Sequence, residues 1–128
     1  MSPRAAGATQ HELSRIGLLA TLPGETLARL AQNMAREDVP AGAGLVSEGD
    51  TGDRFYVVLS GMLSVTQNSR GAQGVLRPGD YFGEVALAMD VPRTASVRAM
   101  TPATVVSCDR ATFDEFVRPL FAEAEEAT

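Results

Sequence analysis

The chain has 128 residues, which at about 100 to 200 per domain leaves room for one compact unit and argues against a two-domain enzyme. It is 45% hydrophobic and 21% charged, a globular balance, and all eleven basic residues are arginine. A Schiff-base lysine, a Walker-type phosphate lysine and a kinase strand lysine are therefore excluded. The net charge of −5 argues against general binding of nucleic-acid phosphates, so any anion has to be captured locally.

Residues 1–9 are small and polar and are expected to be a flexible leader to a domain spanning 10–128. Leu13, Ile16 and Leu19 share one helical stripe. A second stripe runs through Leu27, Leu30, Ala31 and Met34, with Thr21 as the expected N-cap and Pro23 in the first turn. From about Arg36 the period changes. Candidate strands are Leu45 to Ser47, Phe55 to Leu59, Met62 to Thr66, Val75-Leu76, Ala95 to Ala99 and Thr104 to Cys108. Turn signals separate them at Glu48-Gly49-Asp50, Gly52-Asp53, Ser60-Gly61, Arg70-Gly71 and Arg77-Pro78-Gly79-Asp80. So many corners in so few residues imply a closed or rolled sheet that limits exposed edges.

The end is helical again. Asp109 can cap, and Phe113, Phe116, Val117, Leu120 and Phe121 recur on one face, with a kink or a break between two short helices expected at Pro119. Glu123, Glu125 and Glu126 form an acidic tail. Cys108 is the one cysteine and lies in an apolar run, so it reads as a core thiol; His11 is the one histidine and reads as a surface residue, which rules out a multi-histidine metal centre. No apolar stretch approaches the ~18 residues of a membrane span and no hydrophobic signal segment follows Met1, so a cytoplasmic compartment is expected.

The stretch with chemical content is Pro78 to Val97. Gly83 leads into a short helix-competent run, Glu84 to Met89, and a Pro92-Arg93 entry returns to a strand. Amides at a helix start, faced by an arginine, make an anion cradle, because a guanidinium donates two parallel bonds and stays charged when partly desolvated. A carboxylate in that cradle, Glu84, would repel a bare phosphate. A ligand that carries a hydroxyl beside its phosphate gives it a partner, and a ribose 2′-OH does so in a 3′,5′-cyclic nucleotide. A salt bridge between Glu84 and Arg93 that stabilises the turn without ligand is the competing reading.

Phe82-Gly83-Glu84-Val85-Ala86-Leu87 followed by Pro92-Arg93-Thr94-Ala95-Ser96-Val97 resembles the phosphate-binding cassette of the cyclic nucleotide-binding domains of kinase regulatory subunits, gated channels and bacterial cAMP-receptor regulators. The resemblance runs over about residues 12 to 118, with Leu22-Pro23, Val39 to Gly42, Phe55 to Val58 and Gly61 also in family places. It implies an α+β fold: an eight-stranded antiparallel, jelly-roll-like β-roll with N-terminal helices, a cassette helix and a short C-terminal helix.

It also implies site roles. Glu84 and the Gly83 amide hold the ribose 2′-OH, Arg93 pairs with the cyclic phosphate, the Ala86 and Thr94 amides bond its oxygens, and Val85 completes the cassette. Val65 lies against the base or is plain core. In the family a residue at the place of Thr94 is often Ala in cAMP-selective kinase sites and Thr in cGMP-selective ones, yet some channel domains with Thr respond to cAMP. cAMP is expected to be favoured over cGMP. Only Leu120 to Thr128 follow Pro119, so a short lid and a partly exposed base are expected, and no helix-turn-helix follows. The expected function is a sensor that shifts its flanking helices on binding a cyclic nucleotide, with no cofactor, no metal, no nucleic-acid or membrane partner, and an effector fused to it or associated with it. A ligand-free interaction domain of the same fold, and a cGMP-selective sensor, are the alternatives. An enzyme is not expected, since only carboxylates such as Asp50, Asp53, Asp80 and Glu84 remain as catalysts.

Overall fold

Strand β3 (Arg54–Ser60) is apolar on both faces because both are covered. Phe55 and Val57 point to a cluster with the helices, while Tyr56 and Val58 point to a second sheet. The computed structural model describes residues 7–121. In it β1 (Ala35–Val39), β8 (Ala103–Asp109), β3 and β6 (Tyr81–Phe82) form one four-stranded sheet in the order β1-β8-β3-β6. The other sheet is β2 (Gly44–Val46), β7 (Ser96–Ala99), β4 (Leu63–Gln67) and β5 (Gly71–Leu76), in the order β2-β7-β4-β5. Every pairing is antiparallel. The eight-stranded roll implied by the resemblance is the fold of this chain.

Two cores follow from the alternation along the strands. Between the sheets lie Val39, Tyr56, Val58, Leu63, Phe82, Val97, Ala99, Ala103 and Val105. On the outer face of the first sheet, Val106 and Cys108 of β8 join Phe55 and Val57 under Leu13, Leu19, Leu30, Phe113 and Val117. Cys108 is fully buried, and burial pushes its thiol up to about 12. No helix among the described residues is long and apolar enough to cross a membrane.

The N-terminal boundary lies earlier than the sequence indicates. Ala8 is 1% exposed, the Gly7 carbonyl accepts a bond from Arg36, and Thr9 caps α1 (Gln10–Ser14). Thr9 and Glu12 form a reciprocal capping box, each backbone amide bonded to the other side chain at 3.0 Å. Residues 7–9 are therefore part of the folded unit. The remainder of the expected leader and the acidic residues Glu123, Glu125 and Glu126 lie outside the described residues.

Three further expectations are corrected. Thr21 does not cap α2 (Gly24–Gln32); Pro23 occupies that place with no side-chain cap bond. Strand β1 was not expected, because its sequence, Ala-Arg-Glu-Asp-Val, is polar; four of its five residues are exposed, and it is an edge strand carrying charges that discourage further pairing. Pro119 breaks nothing. Helix α4 (Arg110–Thr112) runs on through a π-helical turn (Phe113–Val117) into a last helical turn at residues 118–121. There the Arg118 amide donates to Phe113 five residues back. Widening the turn by one residue shifts the bonding register just before the residue that has no amide to give.

Candidate functional site

The site draws on both sheets and on the turn from β6 into the helix that follows it. Its apolar wall is a row across three strands: Val97 of β7 is paired with Val46 on one side and with Val65 on the other. The opposite wall begins where β6 runs into α3 (Glu84–Met89) through Gly83. Together Val46, Val65, Leu76, Phe82, Gly83, Glu84, Val85, Ala86, Arg93, Thr94, Ala95 and Val97 line a cavity of about 200 Å³. All seven residues singled out in the sequence lie on this one surface, Val65 and Arg93 included.

Gly83 is required by its conformation and by its neighbours. Its φ is +98°, in the left-handed region, and a Cβ there would lie 2.7 Å from the Arg54 carbonyl oxygen and 2.7 Å from Nη1 of Arg93. The first-turn amides of α3 that follow have no acceptor within their own helix. Burial raises the pKa of Glu84 from the ordinary carboxylate value, against the lowering effect of its own backbone amide and of Arg93.

Arg93 is fixed from both ends. Its amide donates to the Asp50 carbonyl at 2.8 Å, and its carbonyl accepts from the Gly49 amide at 2.9 Å, which locks the cassette's return to the loop after β2. The residue is only 7% exposed, and its guanidinium lies 5.9 Å from the centre of the Tyr56 ring, which is itself stacked on Phe82. Nη2 donates to the Arg54 carbonyl at 2.9 Å, while Nη1 is buried and has no hydrogen-bond partner among the described residues. Burial lowers the guanidinium pKa from its usual value, and Tyr56, Asp53 and Glu84 pull it back up. The group stays a cation at neutral pH.

A buried cation with an unused donor costs stability unless something satisfies it. Glu84 does not do so, since none of the ion pairs among the described residues joins Glu84 to Arg93. The closed salt bridge considered from the sequence is therefore not the arrangement found. What the wall offers instead is one unspent guanidinium donor, a carboxylate and a first helical turn of amides beside an apolar face. An anion that also carries a hydroxyl and a flat apolar group fits that set.

Several residues that build the site were read only as turn or strand residues. Gly52 is one: a Cβ there would lie 2.8 Å from Nε of Arg93, 3.0 Å from its Cζ and 2.6 Å from the Ala86 Cβ. Asp50 and Arg54 act through main-chain carbonyls, which no side-chain motif announces. Val46, Leu76 and Val97 follow from strand alternation once the pairing is known. Asp80, in contrast, closes its own turn, accepting from the Arg77 amide at 2.8 Å.

A profile of the family described as cyclic nucleotide-binding domain matches residues 36–119. The cAMP-dependent protein kinase regulatory subunit of Eremothecium gossypii is 37% identical over 108 residues, which are 84% of this chain and 24% of that protein. The cGMP-dependent protein kinase egl-4 of Caenorhabditis briggsae is 32% identical over 114 residues, which cover 84% of this chain and 15% of that protein. Among solved structures, the regulatory domain of Toxoplasma gondii PKA crystallised with cAMP superposes with a TM-score of 0.85 at 25% identity, over 92% of this chain and 47% of that one. The chain thus spans less than a third of the length of these two kinase proteins. With the cassette geometry in place and the match running through it, this chain belongs to the cyclic nucleotide-binding domain family.

Proposed function

We propose that the chain is a regulatory module that binds a 3′,5′-cyclic nucleotide, cAMP in preference to cGMP, and passes the binding event to its C-terminal helix. The observation that carries this reading is the buried Arg93, with one donor spent on Arg54 and the other unspent in the wall of the cavity. A cyclic phosphate satisfies that donor, and the Ala86 and Thr94 amides supply further bonds to its oxygens. Glu84, whose carboxylate is half-buried on the same wall, accepts from the ribose 2′-OH alongside the Gly83 amide. The base lies against Val46, Val65 and Val97. The module is read as binding without catalysis, and the Asp80 carboxylate closes its own turn.

The relatives named above, regulatory subunits and a cyclic-nucleotide-dependent kinase, support a regulatory role with a kinase or another effector as its object. Preference for cAMP is drawn from the cAMP-dependent relatives, and Thr94 works against it: the residue is exposed on the cavity wall, held by the Gln67 side chain through its carbonyl at 2.9 Å, and its hydroxyl can reach the amino group of a guanine. A ligand that binds only the folded state raises the melting temperature with its concentration. Titrating cAMP and cGMP against thermal unfolding tests the reading: a larger rise with cAMP is expected. No rise with either nucleotide up to millimolar concentration would overturn it.

A further inference from the structure

Helix α3 carries no basic residue in its own last turn, yet its C-terminal carbonyls are well served. Two arginines from the C-terminal helical segment converge on them. Arg110 Nη1 and Arg118 Nη2 both donate to the Leu87 carbonyl at 3.1 Å, and Arg118 Nη1 donates to the Ala88 carbonyl at 3.3 Å. Arg110 Nη2 also reaches the Gly52 carbonyl and the Asp90 carboxylate, each at 3.4 Å. Cations at the negative end of a helix are favoured, and each of these bonds is charge-assisted.

The π-helical turn sets Arg118 in this place. Its guanidinium lies over the Phe113 ring at 5.6 Å, five residues back, and its Nε is bonded to Asp114 at 2.8 Å. Phe113 is fully buried in the outer core, so Arg118 is anchored to a fixed point below and to α3 above. Gly52 lies against the Arg93 side chain, and α3 carries the Ala86 amide of the cassette. The arginines therefore grip the back of the structure whose front is the ligand site.

We propose that Arg118 and Arg110 form a latch that couples the cassette helix to residues 110–121, with Arg118 as the positioning residue that transmits movement between them. The signal half of the proposal rests on the cyclic-nucleotide reading above; the mechanical half does not. Ligand at the start of α3 draws on the same short helix whose end the latch holds. Six residues are too few to absorb a displacement internally, so moving α3 either carries the helix with it or breaks the arginine bonds.

Hydrogen exchange followed by mass spectrometry on the whole chain tests both halves. Without ligand, Arg118→Gln is expected to speed exchange of the α3 amides by about two- to five-fold, the scale of a charge-assisted bond lost at a half-exposed site. Arg118→Lys, which keeps the charge and one donor direction, is expected to restore part of the protection. With saturating cAMP, the parent is expected to change its exchange across residues 110–121, and Arg118→Gln to lose most of that change while still binding cAMP by calorimetry. Parental α3 exchange in folded Arg118→Gln would overturn the latch. A cAMP response across 110–121 that survives the substitution would overturn its signalling role. A parent chain that does not bind cAMP overturns the reading of the site and the signalling half with it, and the ligand-free exchange of α3 alone then decides the latch.

Discussion

Arg93 is held by the main-chain carbonyl of Arg54, to which its Nη2 donates at 2.9 Å, and not by any carboxylate among the described residues. A single neutral acceptor orients the guanidinium without neutralising it. The charge stays available in the cavity wall, which a closed ion pair with Glu84 would have consumed.

Space for that guanidinium depends on two glycines that act differently. Gly83→Ala meets both a left-handed φ of +98° and close contact with backbone, so it is expected to destabilise the fold by about 1 to 3 kcal/mol as well as to impair binding. Gly52→Ala meets mainly the Arg93 side chain and the Ala86 Cβ, where no left-handed strain adds. It is expected to lower cAMP affinity roughly ten-fold or more, with a smaller loss of melting temperature than Gly83→Ala. Calorimetry and thermal melts on both variants check this, and equal effects on stability would contradict the distinction.

The pKa of Glu84 is raised, chiefly by burial. A folded chain that holds this proton more tightly than the unfolded one gains stability in full below the ordinary carboxylate pKa, and loses it as pH rises through the folded value. Glu84→Gln is therefore expected to raise the melting temperature of the ligand-free chain near neutral pH, with the gain disappearing below about pH 4. The same substitution is expected to weaken cAMP, since a carboxamide oxygen accepts from a hydroxyl less strongly than a carboxylate. Melting curves across pH, with and without cAMP, check both halves.

Thr94 faces the cavity with its side chain exposed. Thr94→Ala leaves its backbone amide in place for the phosphate and removes only the hydroxyl. It is expected to weaken cGMP more than cAMP, by roughly three- to ten-fold in the ratio, the scale of one neutral hydrogen bond. An unchanged ratio in paired titrations would show that the hydroxyl does not reach the base.

The cassette was legible in the sequence because its residues are close together: Gly83, Glu84, Ala86, Arg93 and Thr94 fall within twelve positions, and the Glu84 and Arg93 side chains with one obligatory glycine mark the place where the Ala86 and Thr94 amides also act. Strands β3 and β4 were legible as short runs rich in β-branched and aromatic or aliphatic residues bounded by turn signals. Strand β1 was not, because an edge strand under charge pressure carries no hydrophobic period, and β6 was not, because two residues show no period at all. Thr9 and Glu12 did carry a capping-box spacing, hidden by the small polar residues around them. The supports of Arg93 remained out of reach for a different reason. Asp50 and Arg54 contribute carbonyl oxygens, which every residue has, and only the fold decides which of them meets a guanidinium. Pro119 was read as a kink or a break between two short helices; the helix is not broken there, since a wider turn accommodates the proline at the cost of one residue of register.

The central claim is that one buried guanidinium captures a cyclic phosphate, and isothermal titration of cAMP into the parent chain and into Arg93→Ala tests it most directly. Losing a charge-assisted contact of about 1.5 to 3 kcal/mol predicts saturable one-site binding by the parent and an affinity one to two decades weaker in the variant. Equal affinity in the two proteins, or no binding by the parent, would contradict the account.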